Sequence, residues 1–295
     1  TTQRNTILAA DEAGLPLADA VSWLDRRTAS AAGEPNRALR AALRLMGDEA
    51  MIPRLLYASR ARIWAERRPE LLARARWVVS LEAWINHQLC GRMAMAPGGM
   101  VGAVPTNAKA RTWDRQGLLP RLLGYEPRWL CDIVEAGQPI GGLTPEAAEA
   151  TGLPVGLPIL ACGGDKQAEA LGAGVRLGMP GVAQVSLGTA SSISLAWPKP
   201  KASSRYHWIT LCSCEPASWH LEYMVFRGMW TVAWFARELG RDLQPRAEAE
   251  GRPVEALLCD EAASAPAGSD GLVTWPRWSP SLQNPAEAGT VFGLR

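Results

Sequence analysis

Residues 158–174 read PILACGGDKQAEALGAG, a short apolar run that stops at two glycines and continues into an alanine-rich segment. The run predicts a β-strand, and the spacing of alanine and leucine after it predicts a helix. Asp165 stands where the predicted strand gives way to the predicted helix, directly after Gly163 and Gly164. Strands that alternate with helices are typical of α/β proteins, so we take this fold class as the starting hypothesis.

The composition is that of an ordinary globular protein. The chain has 295 residues, of which 47% are hydrophobic and 20% are charged. Its formal net charge of +2 makes neither nucleic acid nor a membrane surface an expected partner. No apolar run approaches the roughly 20 residues that span a bilayer. The six cysteines are scattered along the chain, which favours reduced thiols in a cytoplasmic protein.

The character of the sequence changes near residue 155. Before this point, leucine, alanine and arginine recur at helical spacing, as in residues 36–46. After it, short apolar segments bounded by glycine or proline, such as 181–189, predict buried strands. We therefore predict two domains, residues 1–155 and residues 156–295.

Four further segments have patterns that predict a particular structure. Residues 5–25 predict a strand, a turn and a second strand. Residues 143–154 predict a short helix with Thr144 as its N-cap and Gly152 as its end. Residues 219–226 predict another strand, and 229–239 predict an amphipathic helix.

Asp165 has two interpretations. Aspartate is a favoured residue at a helix N-terminus, where its carboxylate accepts backbone N–H groups, and this structural role alone accounts for it. The functional interpretation is that the two glycines let another molecule approach the backbone. Ligands of α/β folds bind at the carboxyl ends of strands, where a carboxylate can take a proton from a hydroxyl group.

Two other segments place polar groups beside predicted strands. VSLGTASSIS (185–194) predicts two strands joined by a turn of small residues, whose N–H and hydroxyl groups could cradle phosphate oxygens; a plain β-turn is the alternative. TTQRNT and WLDRRT place Arg4, Asp25 and Arg27 at the ends of apolar segments. Beside an indole they would suit a polyhydroxylated ligand, and a surface salt bridge is the alternative.

Taken in order, these motifs resemble the FGGY family of carbohydrate kinases. TTQRNT, a Gly-x-Pro turn and WLDRRT are similar to the first sugar-contacting segment of the glycerol-kinase branch. ACGGDKQAEALGAG is similar to the family's Gly-Asp loop, and VSLGTASS to its second phosphate loop. EYMVFRGMWTVAWFAREL is similar to the helix that follows the second phosphate loop in the family, and its sequence is most similar to that of a less characterised branch. The similarity runs in order over nearly the whole chain.

The resemblance implies an actin-like (ribonuclease H-like) fold of two α/β domains, here truncated at both ends. Residues 1–155 would be the sugar-binding domain without its first strands, and residues 156–295 the first part of the nucleotide-binding domain. The implied reaction is ATP-dependent phosphorylation of a sugar or polyol hydroxyl group, with Asp165 as general base and as a ligand of Mg²⁺. A cytoplasmic location and a small-molecule substrate are also implied, and a homodimer stays open.

The residues that the resemblance assigns fall into two groups. Those in or near the sugar pocket are Gln3, Arg4, Asn5, Trp23, Asp25, Arg27 and Lys166. Those that would hold ATP are Gly188, Thr189 and Gly228.

Two positions depart from the glycerol-kinase pattern. Asn5 stands where glycerol kinases carry a glutamate that binds substrate, and Lys166 stands where they carry a glutamine. Both changes make the pocket more positive, so we expect an acidic or larger polyol rather than glycerol. The alternative is that Lys166 pairs with Asp165 or Glu169.

Two other functions remain open. Family members begin with an Asp-x-Gly-Thr phosphate loop and end with glycine-rich adenine-binding segments, and this chain contains neither, so it resembles an internal fragment. One alternative is therefore a non-catalytic fragment or pseudokinase that binds a ligand without phosphoryl transfer. The other is an ATP hydrolase on the same actin-like fold, with a carboxylate that orients water.

Overall fold

A computed structural model describes residues 1–30, 56–188, 191–201, 208–225, 228–275 and 288–294. The chain divides into two compact units. The first unit is Thr1–Gln184 with Ser194–Glu222, and the second is Val185–Ile193 with Tyr223–Arg295. The domain boundary near residue 155 stays a prediction, and residues 36–46 lie outside the described part of the chain.

Short strands and helices alternate along the first unit, as expected for an α/β fold, and further strands and helices follow in the second unit. The strands are β1 (Ile7–Ala10), β2 (Trp77–Ser80), β3 (Ala94–Met95), β4 (Thr106–Asn107), β5 (Thr112–Trp113), β6 (Asp132–Ile133), β7 (Pro139–Gly142), β8 (Pro158–Leu160), β9 (Ala183–Leu187), β10 (Ser191–Trp197), β11 (Ile209–Cys212), β12 (Trp219–Val225), β13 (Val273–Trp275) and β14 (Thr290–Phe292). The α-helices are α1 (Arg60–Arg67), α2 (Pro69–Arg74), α3 (Leu81–Cys90), α4 (Leu118–Leu123), α5 (Pro145–Thr151), α6 (Asp165–Gly172), α7 (Met229–Glu238), α8 (Gln244–Glu250) and α9 (Val254–Ala262).

The strand β1 lies in the main hydrophobic core. All four of its residues are buried, and it pairs antiparallel with β2, with Ile7 opposite Ser80. The predicted second strand of residues 5–25 is wrong as a regular element. After a turn at Gly14, the returning segment makes only isolated bridges to β1, at Pro16 and at Val21. Proline lacks the N–H group that would extend the ladder, which limits pairing here.

Helix ends follow the sequence signals closely. The α5 helix begins after Thr144, whose side chain accepts a hydrogen bond from the backbone of Ala147, and ends at Gly152 in the left-handed conformation. The α3 helix ends at Gly91 in the same way. Both ends were predictable because glycine adopts positive φ without steric strain.

The predicted strands and helices after residue 155 are confirmed, but their burial is not as predicted. A four-stranded sheet has the order β11, β12, β10, β9. In β9, Gln184 and Ser186 are buried while Val185 and Leu187 are exposed, so the prediction of a fully buried apolar strand is wrong. In the second unit, α7, α8 and α9 pack around a small core centred on Leu257. Among the described helices, none has the length and apolar character needed to cross a membrane.

Candidate functional site

Asp165 is anchored through its backbone, while its side chain is half exposed. Gly164 is the N-cap of α6 and Asp165 is its first residue. The Asp165 N–H donates to the carbonyl oxygen of Thr2 at 2.9 Å, and Thr2 also pairs with Gly164 in a parallel bridge. The carboxylate oxygen Oδ1 accepts the Lys166 N–H at 2.8 Å, and the side chain remains 47% exposed. A proton acceptor of fixed position is therefore open to solvent.

The two glycines before Asp165 are required by close packing. Gly163 has φ +129°, and a Cβ atom there would lie 3.0 Å from the Cα atom of Gly98. Gly164 donates its N–H to the carbonyl oxygen of Gly98 at 3.3 Å. A Cβ atom on Gly164 would lie only 2.5 Å from Cγ of Arg4. Any side chain at this position would displace Arg4 or the loop.

Arg4 lies between two carboxylates. Its Nη1 and Nη2 atoms donate three hydrogen bonds of 3.0–3.2 Å to the carboxylate of Glu222 on β12. Its Nε atom is 3.8 Å from Oδ1 of Asp165. The Arg4 side chain is 10% exposed and that of Glu222 is 1% exposed. The structure thus brings Arg4 and Asp165, two predicted site residues, close together. It adds Glu222, a buried acid that was not predicted as a site residue from the sequence.

The missed residue has a sequence signal of its own. Glu222 stands in the middle of WHLEYMVF, which was predicted as a strand. Acidic residues are almost never fully buried unless they are paired, so an acid inside a predicted apolar strand indicates a buried ion pair.

His220 lies two residues before Glu222 on the same strand and is also buried. Its Nε2 atom is 3.1 Å from the Ser213 hydroxyl oxygen. Burial lowers the pKa of His220 to about 4, and the positive charge of Arg4 acts in the same direction. The imidazole is therefore neutral at pH 7 and adds no positive charge beside Arg4.

The segment of Gln3 and Asn5 follows Thr2 and so lies beside the Asp165 loop. The Gln3 side-chain carbonyl accepts a hydrogen bond from the Thr6 hydroxyl at 3.1 Å. Asn5 has φ +55°, a conformation that asparagine tolerates better than most residues. Its Oδ1 atom packs tightly on Gly102, where a Cβ atom would lie 2.1 Å away. The role of both residues in a sugar pocket stays a prediction.

Asp25 and Arg27 are tied to each other. Asp25 accepts hydrogen bonds from the backbone N–H and from Nε of Arg27, each at 2.8 Å, and the Arg27 guanidinium lowers the pKa of the Asp25 carboxyl. Buried Arg60 donates to the carbonyl oxygens of Ser22 and Asp25 and holds the segment in place. The salt-bridge alternative therefore accounts for both side chains, and the sugar-pocket role of Trp23, Asp25 and Arg27 stays a prediction.

Lys166 pairs with Glu169, which is one of the alternatives that the sequence left open. Its Nζ atom is 2.7 Å from a carboxylate oxygen of Glu169, one turn further along α6. This neighbouring negative charge offsets the positive charge that Lys166 adds, whereas the loss of a glutamate at Asn5 is unaffected.

The two described glycines of the predicted ATP site meet at the start of α7. The Gly188 carbonyl oxygen accepts the N–H of Met229, the first residue of the helix, at 2.9 Å. Gly228 is the N-cap, and a Cβ atom there would lie 2.2 Å from the Ser191 hydroxyl oxygen. Thr189 lies outside the described residues.

The acidic side chains of the site can be tested as ligands for Mg²⁺, the metal ion that the resemblance implies. Among the described residues, no cluster of three or more His, Cys, Asp or Glu side chains is arranged to hold a metal ion. Mg²⁺ bound with a nucleotide commonly uses only one or two carboxylates, together with phosphate oxygens and water. The half-exposed Asp165 carboxylate fits that requirement.

Comparison with known proteins gives a consistent assignment. The model of the N-terminal domain of the FGGY family of carbohydrate kinases matches residues 1–172. The "uncharacterized sugar kinase YgcE" of Escherichia coli K12 is 30% identical over 221 residues, which cover 74% of this chain and 44% of the relative. The autoinducer-2 kinase of Yersinia enterocolitica is 28% identical over 222 residues, which cover 75% of this chain and 40% of the relative.

Solved structures show the same fold. The xylulose kinase of Rhodospirillum rubrum superposes with a TM-score of 0.76 at 24% identity and covers 99% of this chain. The Plasmodium falciparum glycerol kinase with ADP has a TM-score of 0.71 at 17% identity and covers the entire chain. This fold is the actin-like, ribonuclease H-like fold of sugar kinases. The chain spans 57% of each of these structures and less than half of the two curated relatives.

Proposed function

Because the chain belongs to the FGGY family of carbohydrate kinases, we propose that the protein transfers the γ-phosphoryl group of ATP to a hydroxyl group of a sugar or polyol. One observation carries the proposal. A half-exposed carboxylate, Asp165, is fixed at the start of α6 with the Arg4 guanidinium 3.8 Å away.

Asp165 acts as the general base. As the acceptor oxygen forms its bond to the γ-phosphorus, the bond from that phosphorus to the β,γ-bridging oxygen breaks and ADP leaves. The acceptor O–H bond breaks as well, and its proton passes to the Asp165 carboxylate. The Lys166 N–H at Oδ1 and the anchoring of the Asp165 N–H on Thr2 keep the carboxylate in one orientation. The side of Arg4 that faces Asp165, at its Nε atom, orients the acceptor hydroxyl groups. Phosphoryl transfer depends mostly on positioning and charge stabilisation, so a weakly basic carboxylate is sufficient.

Gly188 and Gly228 serve the phosphoryl donor. The N-terminus of α7 carries partial positive charge, which favours phosphate oxygens. Glycine at position 228 lets the backbone pack closely there, because a side chain on it would collide with Ser191. Bound Mg²⁺ would neutralise charge on the phosphates, and Asp165 is the residue we assign to it.

The acceptor that we propose is a sugar or a polyol larger than glycerol. The Lys166–Glu169 pair offsets the charge of Lys166, so the charge argument for an acidic acceptor rests on Asn5 alone. Relatives of this chain include kinases named for autoinducer-2, and structural neighbours include kinases named for xylulose. We place the reaction in the cytoplasm.

The test uses the full reading frame that encodes this chain. The purified protein is incubated with ATP, Mg²⁺ and one of four acceptors, xylulose, glycerol, gluconate or autoinducer-2, and ADP release is measured. We expect release to depend on the acceptor and to fall about 10²–10⁴-fold in Asp165→Asn, the usual contribution of a general base. Asp132→Asn is the matched control, because Asp132 is an exposed aspartate paired with Arg92.

Each alternative function has its own result. ADP release that ignores the acceptor in the wild type would favour the ATP hydrolase. Acceptor binding without ADP release would favour the non-catalytic protein. Full activity of Asp165→Asn would remove Asp165 from the mechanism.

A further inference from the structure

We propose that Glu222 is a positioning residue, which holds the Arg4 guanidinium so that Asp165 remains free to accept a proton. The inference rests on the proposed function, since it concerns the same site. It assigns a role to a residue that lies on β12, 218 positions away from Arg4 in sequence.

The pairing of Arg4 with Glu222 fixes an orientation as well as a charge. A carboxylate buried as deeply as that of Glu222, 1% exposed, is stable only when its charge is compensated. The planar guanidinium meets it through both terminal nitrogens, with three hydrogen bonds of 3.0–3.2 Å. Two-pronged contacts of this kind set the plane of the guanidinium and not only its distance.

The two carboxylates compete for Arg4. Glu222 occupies Nη1 and Nη2, and the atom that faces Asp165 is Nε, at 3.8 Å from Oδ1. This separation is longer than a hydrogen bond. Among the described residues, Asp165 is the other carboxylate within 4 Å of Arg4, so it would attract Arg4 if the negative charge of Glu222 were removed. The attraction between unit charges grows as they approach. A direct Arg4–Asp165 contact would occupy the base that the acceptor needs.

Two other titratable groups of this region, His220 and Lys166, carry no negative charge that could replace that of Glu222. His220 on β12 is neutral, and Lys166 is engaged with Glu169 on α6. The ion pairs of Arg4 among the described residues are those with Glu222 and Asp165.

Another arginine of the chain, the buried Arg111, shows what a purely structural pair looks like. Arg111 also makes a two-pronged contact with a glutamate, Glu135, at 2.7 and 2.8 Å. Its remaining donors reach backbone carbonyl oxygens, including those of Ser213 and Ser218. Arg111 thus cross-links the chain, whereas the free side of Arg4 faces a half-exposed carboxylate.

The experiment compares Glu222→Gln and Glu222→Asp with Glu135→Gln in the full reading frame that encodes this chain. Steady-state kinetics are measured with whichever of the four acceptors supports the fastest ADP release, and urea unfolding reports the folded fraction. A displacement of about 1 Å in a site can lower the rate about 10²-fold. For Glu222→Gln we expect kcat per folded protein to fall by about that factor, KM for the acceptor to rise about tenfold, and KM for ATP to stay within about twofold.

Glu222→Asp keeps the charge with a shorter side chain, so it should lie between the wild type and Glu222→Gln in both parameters. It also carries the test if Glu222→Gln does not fold. Glu135→Gln should leave both KM values unchanged. The proposal is overturned if Glu222→Gln leaves the acceptor KM and kcat per folded protein unchanged, or if Glu222→Asp is as impaired as Glu222→Gln. An inactive Asp165→Asn together with a normal Glu222→Gln would refute the positioning role alone, whereas an active Asp165→Asn would refute the proposed function.

Discussion

Glu82 is a buried acid that supports the Asp165 loop, and replacing it gives the sharpest test of the structure. It lies in the first turn of α3, is 4% exposed, and accepts the N–H of Ala96 at 3.0 Å on Oε1. Its Oε2 atom has no hydrogen-bond partner among the described residues, and a Cβ atom on Gly99 would lie 2.0 Å from it. Burial raises the pKa of Glu82 to about 7. The turn that it holds includes Gly98, which accepts the N–H of Gly164.

The expected effect follows from the protonation of Glu82. Because its pKa rises from 4.5 in the unfolded chain to about 7 in the folded one, the folded state retains a proton that the unfolded state loses. Its contribution to stability is complete below pH 4.5 and is lost as the pH rises to about 7. The amount is roughly 3 kcal/mol, at 1.36 kcal/mol for each pKa unit. Glutamine resembles the protonated carboxyl group, so Glu82→Gln should not lose this stability.

The assay is reversible urea unfolding of both proteins across the pH range from acid to neutral. The free energy of unfolding of Glu82→Gln should equal that of the wild type near pH 4 and exceed it by about 3 kcal/mol near pH 7. The free energy of the variant has to be compared with that of the wild type at each pH, because the titration of His220 changes the stability of both proteins in the opposite direction. Its pKa is lowered to about 4, so its contribution is present above pH 6.5 and is lost as the pH falls to about 4.

The control for this prediction is Glu146→Gln, an exposed acid in the first turn of α5. It should change the free energy of unfolding by less than about 0.5 kcal/mol at every pH. Parallel pH profiles for Glu82→Gln and the wild type would refute the reasoning, because they would mean that Glu82 titrates alike in both states.

Two glycine substitutions test the geometry of the site. Gly164→Ala places a methyl group 2.5 Å from Cγ of Arg4; we expect ADP release to fall about 10²-fold, since Arg4 must shift. Gly172→Ala in the same helix has open space around it and should keep full activity, so equal loss in both variants would contradict this explanation. Gly228→Ala places a methyl group 2.2 Å from the Ser191 hydroxyl oxygen. It should raise KM for ATP about tenfold with an unchanged acceptor KM, a displacement effect in the donor site alone, and an unchanged ATP KM would remove Gly228 from that site.

Features set by a single residue or a short pattern could be predicted from the sequence. The ends of α3 and α5 depend on Gly91 and Gly152, and the strand-to-helix step before Asp165 depends on its two glycines. The pairing of β1 could not be predicted in this way, because its regular partner β2 is about 70 residues away along the chain. Local patterns contain no information about which of several distant strands will be the neighbour.

The polar site residues were harder to predict because two strands of one sheet, β9 and β10, reverse the usual alternation. The buried positions of β9, β10 and β12 include Gln184, Ser186, Ser192, Ser194, His220 and Glu222. In β9 and β10 the apolar residues between them, such as Val185 and Ile193, are exposed, whereas β12 also buries its apolar residues Trp219 and Leu221. A period of two identifies a strand but not its buried face, and the usual assignment of apolar residues to the interior gives the wrong face here. Burying polar groups is costly in an apolar core, so a buried charge such as that of Glu222 is best accommodated where its neighbours are polar too. The buried polar residues of β9 and β10 are therefore consistent with a buried ion pair, that of Arg4 with Glu222, on another strand of the same sheet. For an acid in a strand of this sheet, the inner face is a better assignment than solvent.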